Sequence, residues 1–189
     1  PAKVYIGNRE AKFQAGLNSS MNIYGVQFSF LFDGRVGGDV LNVTGRNLIS
    51  SGNHSILEKY RGRQVVFNGV KELTDAEGNV YYEPNTTPIT LNQTTITNYF
   101  SQVSTNFIED GSFLRCNDIT IGYTIPEKTS KQWGISKARF YVSATNPFII
   151  TNYSGYDPEV DIQTGLTPCV DYNRYPRNRS FIFGTNITF

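Results

Sequence analysis

Apolar and polar residues alternate over the last eleven residues of the chain, which ends at Phe189 with no polar tail. Successive side chains of a β-strand point to opposite faces, so Phe181, Phe183 and Ile187 share a face with Phe189. The last strand of a soluble β-sandwich alternates in the same way. A strand of about 9 to 11 residues with one apolar and one polar face is also what a tilted membrane crossing requires.

Four earlier segments have the same period of two. Together with the terminal segment, the alternating stretches occupy residues 12–23, 26–35, 112–125, 136–149 and 179–189. None of them has the 3.6-residue period of an amphipathic helix. The sequence therefore predicts an all-β fold with about five strands.

The connections between these strands differ in length. Tyr24-Gly25 joins the first two strands as a two-residue hairpin in which glycine can adopt a positive φ. Residues 126–135 form a second fairly short connection, whereas residues 36–111 and 150–178 are long, polar and predicted to be irregular. Short and long connections therefore alternate along the chain.

This alternation favours an antiparallel transmembrane β-barrel segment, because bacterial outer-membrane barrels have short periplasmic turns and long extracellular loops. A soluble sandwich has no reason to sort its connections by length. With this orientation the carboxyl terminus is periplasmic and the two long connections are extracellular loops. The apolar side chains expected to face lipid are Phe28, Phe30, Phe32, Phe140, Val142, Phe181, Phe183, Ile187 and Phe189.

Five strands are too few to close such a barrel, since bacterial examples begin at eight strands and leave no unpaired edge in lipid. We therefore expect the first and last strands to pair with protein outside this sequence. The 189 residues would then be the carboxyl-terminal portion of a larger barrel.

Composition excludes several other classes of protein. The 17 Lys and Arg residues nearly balance the 16 Asp and Glu residues, and the net charge of +1 is dispersed along the chain. A nucleic-acid-binding surface would instead concentrate positive charge on one face. The sequence also lacks an apolar run long enough for a transmembrane helix.

The inventory of reactive side chains predicts neither an enzyme nor a cofactor. His54 is the single histidine and lies in a polar connection, so a catalytic triad would rest on composition alone. Cys116 and Cys169 are far apart in sequence, and two cysteines do not make a metal site. A disulfide between them stays open as an alternative to two free thiols.

The connection 150–178 carries the candidate ligand-contacting side chains. Aromatic faces stack on sugar rings or peptide side chains, and charged groups make directed hydrogen bonds, so direct substrate contact is one interpretation. The favoured interpretation is loop architecture or lid contact, with Asp157 and Glu159 holding the loop against Arg174, Arg177 or Arg179. The candidates are Tyr153, Tyr156, Asp157, Glu159, Tyr172, Arg174, Tyr175 and Arg177.

A modest basic stretch lies within the other long connection, 36–111. It consists of Arg46, Lys59, Arg61 and Arg63. A solvated loop face is the default interpretation, and contact with an acidic partner or substrate is the alternative.

Several longer motifs resemble a known family. These are Asp110–Arg115, Asp118–Tyr123, Arg139–Phe148, Tyr153–Glu159, Tyr175–Arg177 and Arg179–Gly184. In order and spacing they resemble the carboxyl-terminal third of SusC/RagA-type TonB-dependent transporters of Bacteroidetes. The resemblance is strong after Glu109 and weak between residues 46 and 108. Cys116 and Asn146-Pro147 depart from the family pattern without disturbing the assignment.

The resemblance implies a function. Members have a barrel of about 22 strands around an amino-terminal plug domain, which is absent from these residues. They are energised by the TonB complex, capped outside by a SusD-like surface lipoprotein, and import oligosaccharides or peptides across the bacterial outer membrane. We therefore expect part of a nutrient importer, in contact with lipid and with the rest of its barrel. The alternative is a passive outer-membrane barrel or adhesin that displays loops.

Overall fold

The computed structural model of the chain describes residues 4–160 and 169–189. Residues 161–168 of the predicted loop 150–178 lie outside the described residues. The strands are β1 (Ala11–Ile23), β2 (Val26–Gly37), β3 (Asp39–Asn42), β4 (Gln64–Val65), β5 (Val70–Thr74), β6 (Val80–Pro84), β7 (Ile89–Thr90), β8 (Ile108–Asp110), β9 (Phe113–Thr124), β10 (Lys137–Thr151), β11 (Val170–Asp171) and β12 (Ser180–Thr188). The helices are α1 (Val43–Ser50), α2 (Ile56–Tyr60), α3 (Gln93–Thr95), a π-helix (Ile96–Phe100), a 3₁₀-helix (Ser104–Phe107) and α4 (Glu127–Gln132).

The five longest strands form one antiparallel sheet in the order β1-β2-β9-β10-β12. Each of the five lies at one of the five alternating segments of the sequence. The main difference is at the ends, since β2 continues to Gly37 and β10 to Thr151. An antiparallel, mostly β architecture is therefore confirmed, and the sheet is open within the residues that the structure describes.

The turn between β1 and β2 is the two-residue hairpin that the sequence predicts. Both central residues have positive φ, 51° at Tyr24 and 84° at Gly25, as a type I′ turn requires. A Cβ atom at Gly25 would lie 2.8 Å from the carbonyl oxygen of Thr124. Glycine is therefore required there both by its φ and by the approach of β9.

The register of the sheet places apolar residues opposite one another on one face. Phe28 lies opposite Ile121, Ile121 opposite Val142, and Val142 opposite Phe183. A single-residue slip of any strand would move its apolar side chains to the other face, so the pattern fixes the pairing. One face of the sheet, which we call the apolar face, is consequently continuous across the five strands.

The opposite face, which we call the polar face, is joined by side-chain hydrogen bonds between strands. Thr120 and Ser143 are direct neighbours, with their hydroxyl oxygens 2.8 Å apart. Arg139 donates from Nη2 to the side-chain oxygen of Gln27, 2.7 Å away. Leu31 is an apolar exception on this face. These bonds tie β2, β9 and β10 together without an apolar core on that side.

A bulge interrupts the pairing of β9 and β10. The register shifts between Thr145 and Phe148, and Asn146 there has a φ of 50°. Pro147 lies in this bulge, beyond Thr145, the last residue of β10 that pairs with β12. Proline lacks an N–H group, so a bulge without a partner strand on one side is where a strand accommodates it.

A second, smaller sheet packs with a small cluster of buried side chains. β11, β3 and β8 form a three-stranded sheet in that order. Against it pack the buried side chains of Val40, Tyr153 and Val160, with Cys169 beside them. The long connection after β10 is therefore folded back so that its strand β11 pairs with β3.

The prediction that residues 36–111 form an irregular connection is wrong. Asn42–Phe107 form a separate compact unit, here called the inserted unit, with two two-stranded sheets and several short helices. Its elements begin at specific caps: the side chain of Asn42 accepts a hydrogen bond from the backbone N–H of Gly45 at 2.6 Å, and Asn92 forms a capping box with Thr95. Helices of three to eight residues are too short to produce a sustained hydrophobic period, which is why the sequence pattern missed them.

No helix among the described residues is both long enough and apolar enough to cross a membrane.

Candidate functional site

Four charged side chains form a cluster where the polar face meets the connection after β10. Arg115 on β9 is only 2% exposed, and its Nη2 and Nη1 atoms donate to Asp157 at 2.5 Å and to Glu159 at 2.7 Å. Arg177 donates to the same Glu159 oxygen at 2.6 Å and lies 3.6 Å from Asp157. The two guanidinium groups thus bridge two carboxylates, and we call these residues the loop cluster.

Local backbone geometry presents the two carboxylates together. The backbone N–H of Glu159 donates to Oδ1 of Asp157 at 2.9 Å, and the intervening Pro158 is fully buried. This is a side-chain turn of the type that aspartate commonly makes two residues ahead. The sequence Asp157-Pro158-Glu159 therefore forms a rigid element that locks onto Arg115.

Tyr153 has a comparable structural position. Its hydroxyl donates to Asp171 at 2.7 Å, and its ring is buried with Val40 and Val160. Burial raises the pKa of Tyr153 well above its usual range, and the adjacent Asp171 carboxylate adds to that effect. The protonated phenol is therefore a fixed tie between the two ends of the connection.

The other candidates of this connection are exposed. Tyr156 and Tyr175 are 74% and 85% exposed, and Tyr172 and Arg174 are exposed as well. The structure thus divides the predicted set. Tyr153, Asp157, Glu159 and Arg177 hold the connection in place, while the three other tyrosines are exposed at its surface.

A groove of about 310 Å³ lies on the polar face beside the loop cluster. It is lined by Gln14, Asp33, Arg35, Phe113 and Glu159, among others. The guanidinium of Arg35 donates to the carbonyl oxygen of Arg9 at 2.6 Å. One carboxylate oxygen of Asp33 is buried without a hydrogen-bond partner in the described part of the chain. The groove is therefore lined by side chains of both charges.

Sequence reasoning missed Asp33, Arg35 and Arg115 as site residues. Their alternation placed Asp33 and Arg35 on the polar side of β2, but nothing in the pattern indicated a groove there. Arg115 lies between Leu114 and Cys116, and only its partners in a distant connection reveal its role. A charge on the polar side of a strand, close to the end of that strand, is the signal that could have found Asp33 and Arg35.

The predicted lipid-facing side chains share the apolar face. Phe28, Phe30 and Phe32 form a row with ring centroids 5.5 and 5.4 Å apart. Phe183 on β12 is 79% exposed, and Phe189, which follows the strand, is 89% exposed. A water-facing sheet would not normally leave such an area uncovered.

The reactive side chains form no further site within the residues described. Cys116 and Cys169 are both free thiols. His54 accepts a hydrogen bond at Nδ1 from the backbone N–H of Ile56 at 3.2 Å, a local turn contact. No group of three or more metal-binding side chains occurs among the described residues.

Curated relatives of the chain are receptors of one type. It is 25% identical to the TonB-dependent receptor P3 of Formosa agariphila over 97% of its own length and 17% of that protein. It is 42% identical to the TonB-dependent receptor SusC of Bacteroides thetaiotaomicron over 46% of its length and 8% of that protein. The chain thus spans about one sixth of the first of these relatives and less of the second. No family model matches.

Solved structures agree with this assignment at the level of the fold. The RagAB peptide importer in its closed–closed state matches 93% of the chain and 17% of its own, with a TM-score of 0.59 and 19% identity. The open–open state gives a TM-score of 0.56 at 20% identity. The homologues of the chain are therefore TonB-dependent receptors, SusC among them, and its fold matches part of the RagA barrel.

Proposed function

We propose, from its homology to TonB-dependent receptors, that the chain forms part of the wall and loops of an outer-membrane importer of nutrient oligomers. The observation that carries this proposal is the five-stranded antiparallel sheet with a continuous apolar face and a hydrogen-bonded polar face. Strands that alternate in this way and leave their apolar side outward are typical of transmembrane barrels. The relatives supply the transporter class, which the sheet alone does not.

In this proposal the apolar face contacts lipid of the bacterial outer membrane. The hairpin at Tyr24-Gly25 and the connection containing α4 lie at the periplasmic end, together with the carboxyl terminus. The connections 36–111 and 150–178 are extracellular. The support is the distribution of lengths, since both short connections leave one end of the sheet and both long ones the other.

The polar face then lines the interior of the barrel, and the groove beside Asp33 and Arg35 opens toward the transported molecule or toward the plug. The loop cluster fixes the connection 150–178 so that its exposed side chains are presented outward. Tyr156, Tyr172 and Tyr175 are suited to stacking on sugar rings or on peptide side chains. Oligosaccharides and peptides are therefore both candidate substrates in this proposal.

The partners follow from the same assignment. The edges of β1 and β12 pair with the rest of the barrel, which encloses a plug that contacts the TonB complex. A SusD-like surface lipoprotein meets the outer loops. The solved neighbours are structures of the peptide importer RagAB, and their likeness to this fold supports the inference of such partners here. The chain contributes wall and loops, with no catalytic or cofactor chemistry.

Uptake assays in the native bacterium test this function. Labelled oligosaccharides and oligopeptides are supplied to cells with and without the complete protein, and with and without a functional TonB. We expect one class of oligomer to enter only when both are present. Uptake that persists without TonB would instead indicate a passive barrel, and display without uptake would indicate an adhesin.

A matched pair of variants connects the assay to this chain. Replacing both Tyr156 and Tyr175 with Ala removes exposed aromatic faces and should lower uptake without changing the amount of protein at the surface. Tyr24→Ala removes an exposed tyrosine from the opposite, periplasmic end and should leave uptake unchanged. Equal uptake by both variants would exclude the two loop tyrosines from substrate or lid contact.

A further inference from the structure

The inserted unit contains a cavity of about 370 Å³ whose lining side chains are all apolar or aromatic. Its floor is formed by Ile49, Leu57, Leu91 and Ile96, which are buried. These side chains come from α1, α2, the segment before α3 and the π-helix. The cavity is therefore formed between several separate elements of the unit.

The mouth of the cavity is open. Ile56, Tyr60 and Phe100 line it and are exposed, although each is large and apolar. A unit of this size would normally close its core over such side chains. An apolar concavity of this volume is the usual form of a binding pocket.

The segments that build this pocket carry a one-sided charge. Residues 42–69 and 85–107 contain four Lys or Arg residues and one acidic residue, Glu58. The other acidic residues of the inserted unit lie between those segments, on and between β5 and β6. They are Glu72, Asp75, Glu77 and Glu83.

Two of the basic residues, Lys59 and Arg63, lie next to residues that line the pocket. The ammonium of Lys59 is 5.5 Å from the ring centroid of Tyr60, which lines the mouth. The backbone of Arg63 lies beside the floor, since its carbonyl oxygen accepts a hydrogen bond from the backbone N–H of Leu91 at 2.8 Å, and its side chain is exposed. Neither cation makes an ion pair within the described residues. Their charge is thus available to an external anion.

We propose that this pocket binds an acidic peptide segment of a partner protein, with a leucine or phenylalanine side chain of that segment in the cavity. The apolar lining excludes a polar anchor, since burying one without a hydrogen bond is unfavourable. The cations beside the mouth pair with carboxylates that flank the anchor. The proposal goes beyond nutrient import, because it assigns a separate peptide-binding site to the inserted unit.

Fluorescence anisotropy with the complete protein held in amphipol tests the proposal. The probe is fluorescein-labelled Asp-Glu-Leu-Phe-Glu-Asp. One comparison peptide, Lys-Arg-Leu-Phe-Arg-Lys, reverses the charges, and another, Asp-Glu-Ser-Ser-Glu-Asp, removes the anchors. We expect the probe to bind about tenfold more tightly than either comparison peptide and to weaken as salt is raised.

Variants locate the binding. Tyr60→Ala removes an aromatic ring from the mouth of the pocket, and the double variant Lys59→Glu, Arg63→Glu reverses the charge beside it. Each variant should lower the affinity for the probe about tenfold. Lys71→Glu makes the same charge reversal on β5 and should leave affinity unchanged. Intact proteolytic patterns of all variants show that the unit is still folded.

Four results would overturn the proposal. Absence of binding would exclude an acidic peptide with an apolar anchor as the occupant of the pocket. Equal binding of the acidic and basic peptides, or equal affinity of the Tyr60→Ala protein, would remove either the charge or the pocket from recognition. Tighter binding of oleate than of the probe, with displacement of the probe, would assign the pocket to a lipid.

Discussion

The five-stranded sheet and the inserted unit place their hydrophobic side chains in opposite positions. In the sheet Phe183 is 79% exposed, while the polar side chains Thr120 and Ser143 contact each other. In the inserted unit Ile49 and Leu57 are each 5% exposed, and the charges are on the outside. Two parts of one chain thus follow opposite rules of solvation.

The difference teaches that exposure alone does not decide whether an apolar residue is satisfied. An exposed phenylalanine is unfavourable in water but stabilising when it contacts lipid. In a transmembrane barrel the outer face of the sheet is apolar and the face toward the barrel interior can be polar. The inserted unit has the arrangement expected in water. Matched substitutions, one in each region, separate these two environments.

Charged side chains provide the largest expected contrast. Arg115→Ala leaves Asp157 in a mostly buried site without its closest cation, and breaking a buried pair in this way costs about 3–5 kcal/mol. Arg63→Ala in the inserted unit removes an exposed cation and should change stability by less than about 0.5 kcal/mol.

Hydrogen exchange of the two regions in the complete protein measures both effects. We expect loss of protection in β9 and in residues 152–160 for Arg115→Ala, and no change in the inserted unit for Arg63→Ala. If Arg115→Ala reduced protection of residues 152–160 no more than Arg63→Ala does, the loop cluster would not be the element that holds this connection.

Exposed apolar side chains provide the next contrast. Phe183→Lys places a charge on the apolar face of the sheet and should cost about 2–4 kcal/mol if that position is deep in lipid. Val70→Lys alters a residue of β5 that is 66% exposed, and in water it should be nearly neutral, within about 0.5 kcal/mol. Comparing surface amounts of the two variants reads out the difference. Assembly of the Phe183 variant at normal levels would show that the apolar face does not contact lipid.

The sequence could predict the sheet because its information is local and repeated. Strict alternation across Phe28, Phe30 and Phe32 fixes both the strand and its outward face, and Tyr24-Gly25 fixes the turn. The pattern excludes one-residue slips of the register, since these would move the apolar side chains to the other face, and the turn sets the register of β1 and β2. The motif resemblance adds the family, and the relatives agree with it.

The inserted unit and the loop cluster could not be predicted in this way. The apolar residues Leu57, Leu91 and Ile96 come together from separate short elements, and no period connects them. Arg115 and Asp157 are 42 residues apart and meet only because the connection folds back. Both features depend on tertiary contacts, to which periodicity is blind.

Buried and exposed tyrosines give a smaller contrast. Tyr153→Phe removes the hydrogen bond to Asp171 inside a small core and should cost about 1–3 kcal/mol. Tyr82→Phe removes a hydrogen bond of 3.2 Å from Tyr82 to Glu72 on the exposed β5–β6 hairpin, where water replaces it at little cost.

Alkaline pH tests the same pair. Folding raises the pKa of the Tyr153 phenol. The stabilisation from its protonated form is therefore fully present below the unfolded pKa of about 10 and is lost as the pH rises above that value. The stability difference between the native protein and the Tyr153→Phe variant should therefore be constant at lower pH and shrink above it. A constant difference across the whole range would mean that Tyr153 titrates normally.

Glycines with the same backbone conformation give the smallest contrast. Gly25 in the sheet and Gly78 in the inserted unit have φ values of 84° and 88°. Alanine at either position pays the same left-handed penalty of about 1–2 kcal/mol. At Gly25 the added Cβ would also lie 2.8 Å from the Thr124 carbonyl oxygen, whereas at Gly78 nothing lies within 4 Å. We therefore expect Gly25→Ala to cost about 1 kcal/mol more than Gly78→Ala, by analogy with overpacked sites. Amide protection of each hairpin measures the two costs separately, and equal costs would show that β9 can move away from the β1–β2 turn without penalty.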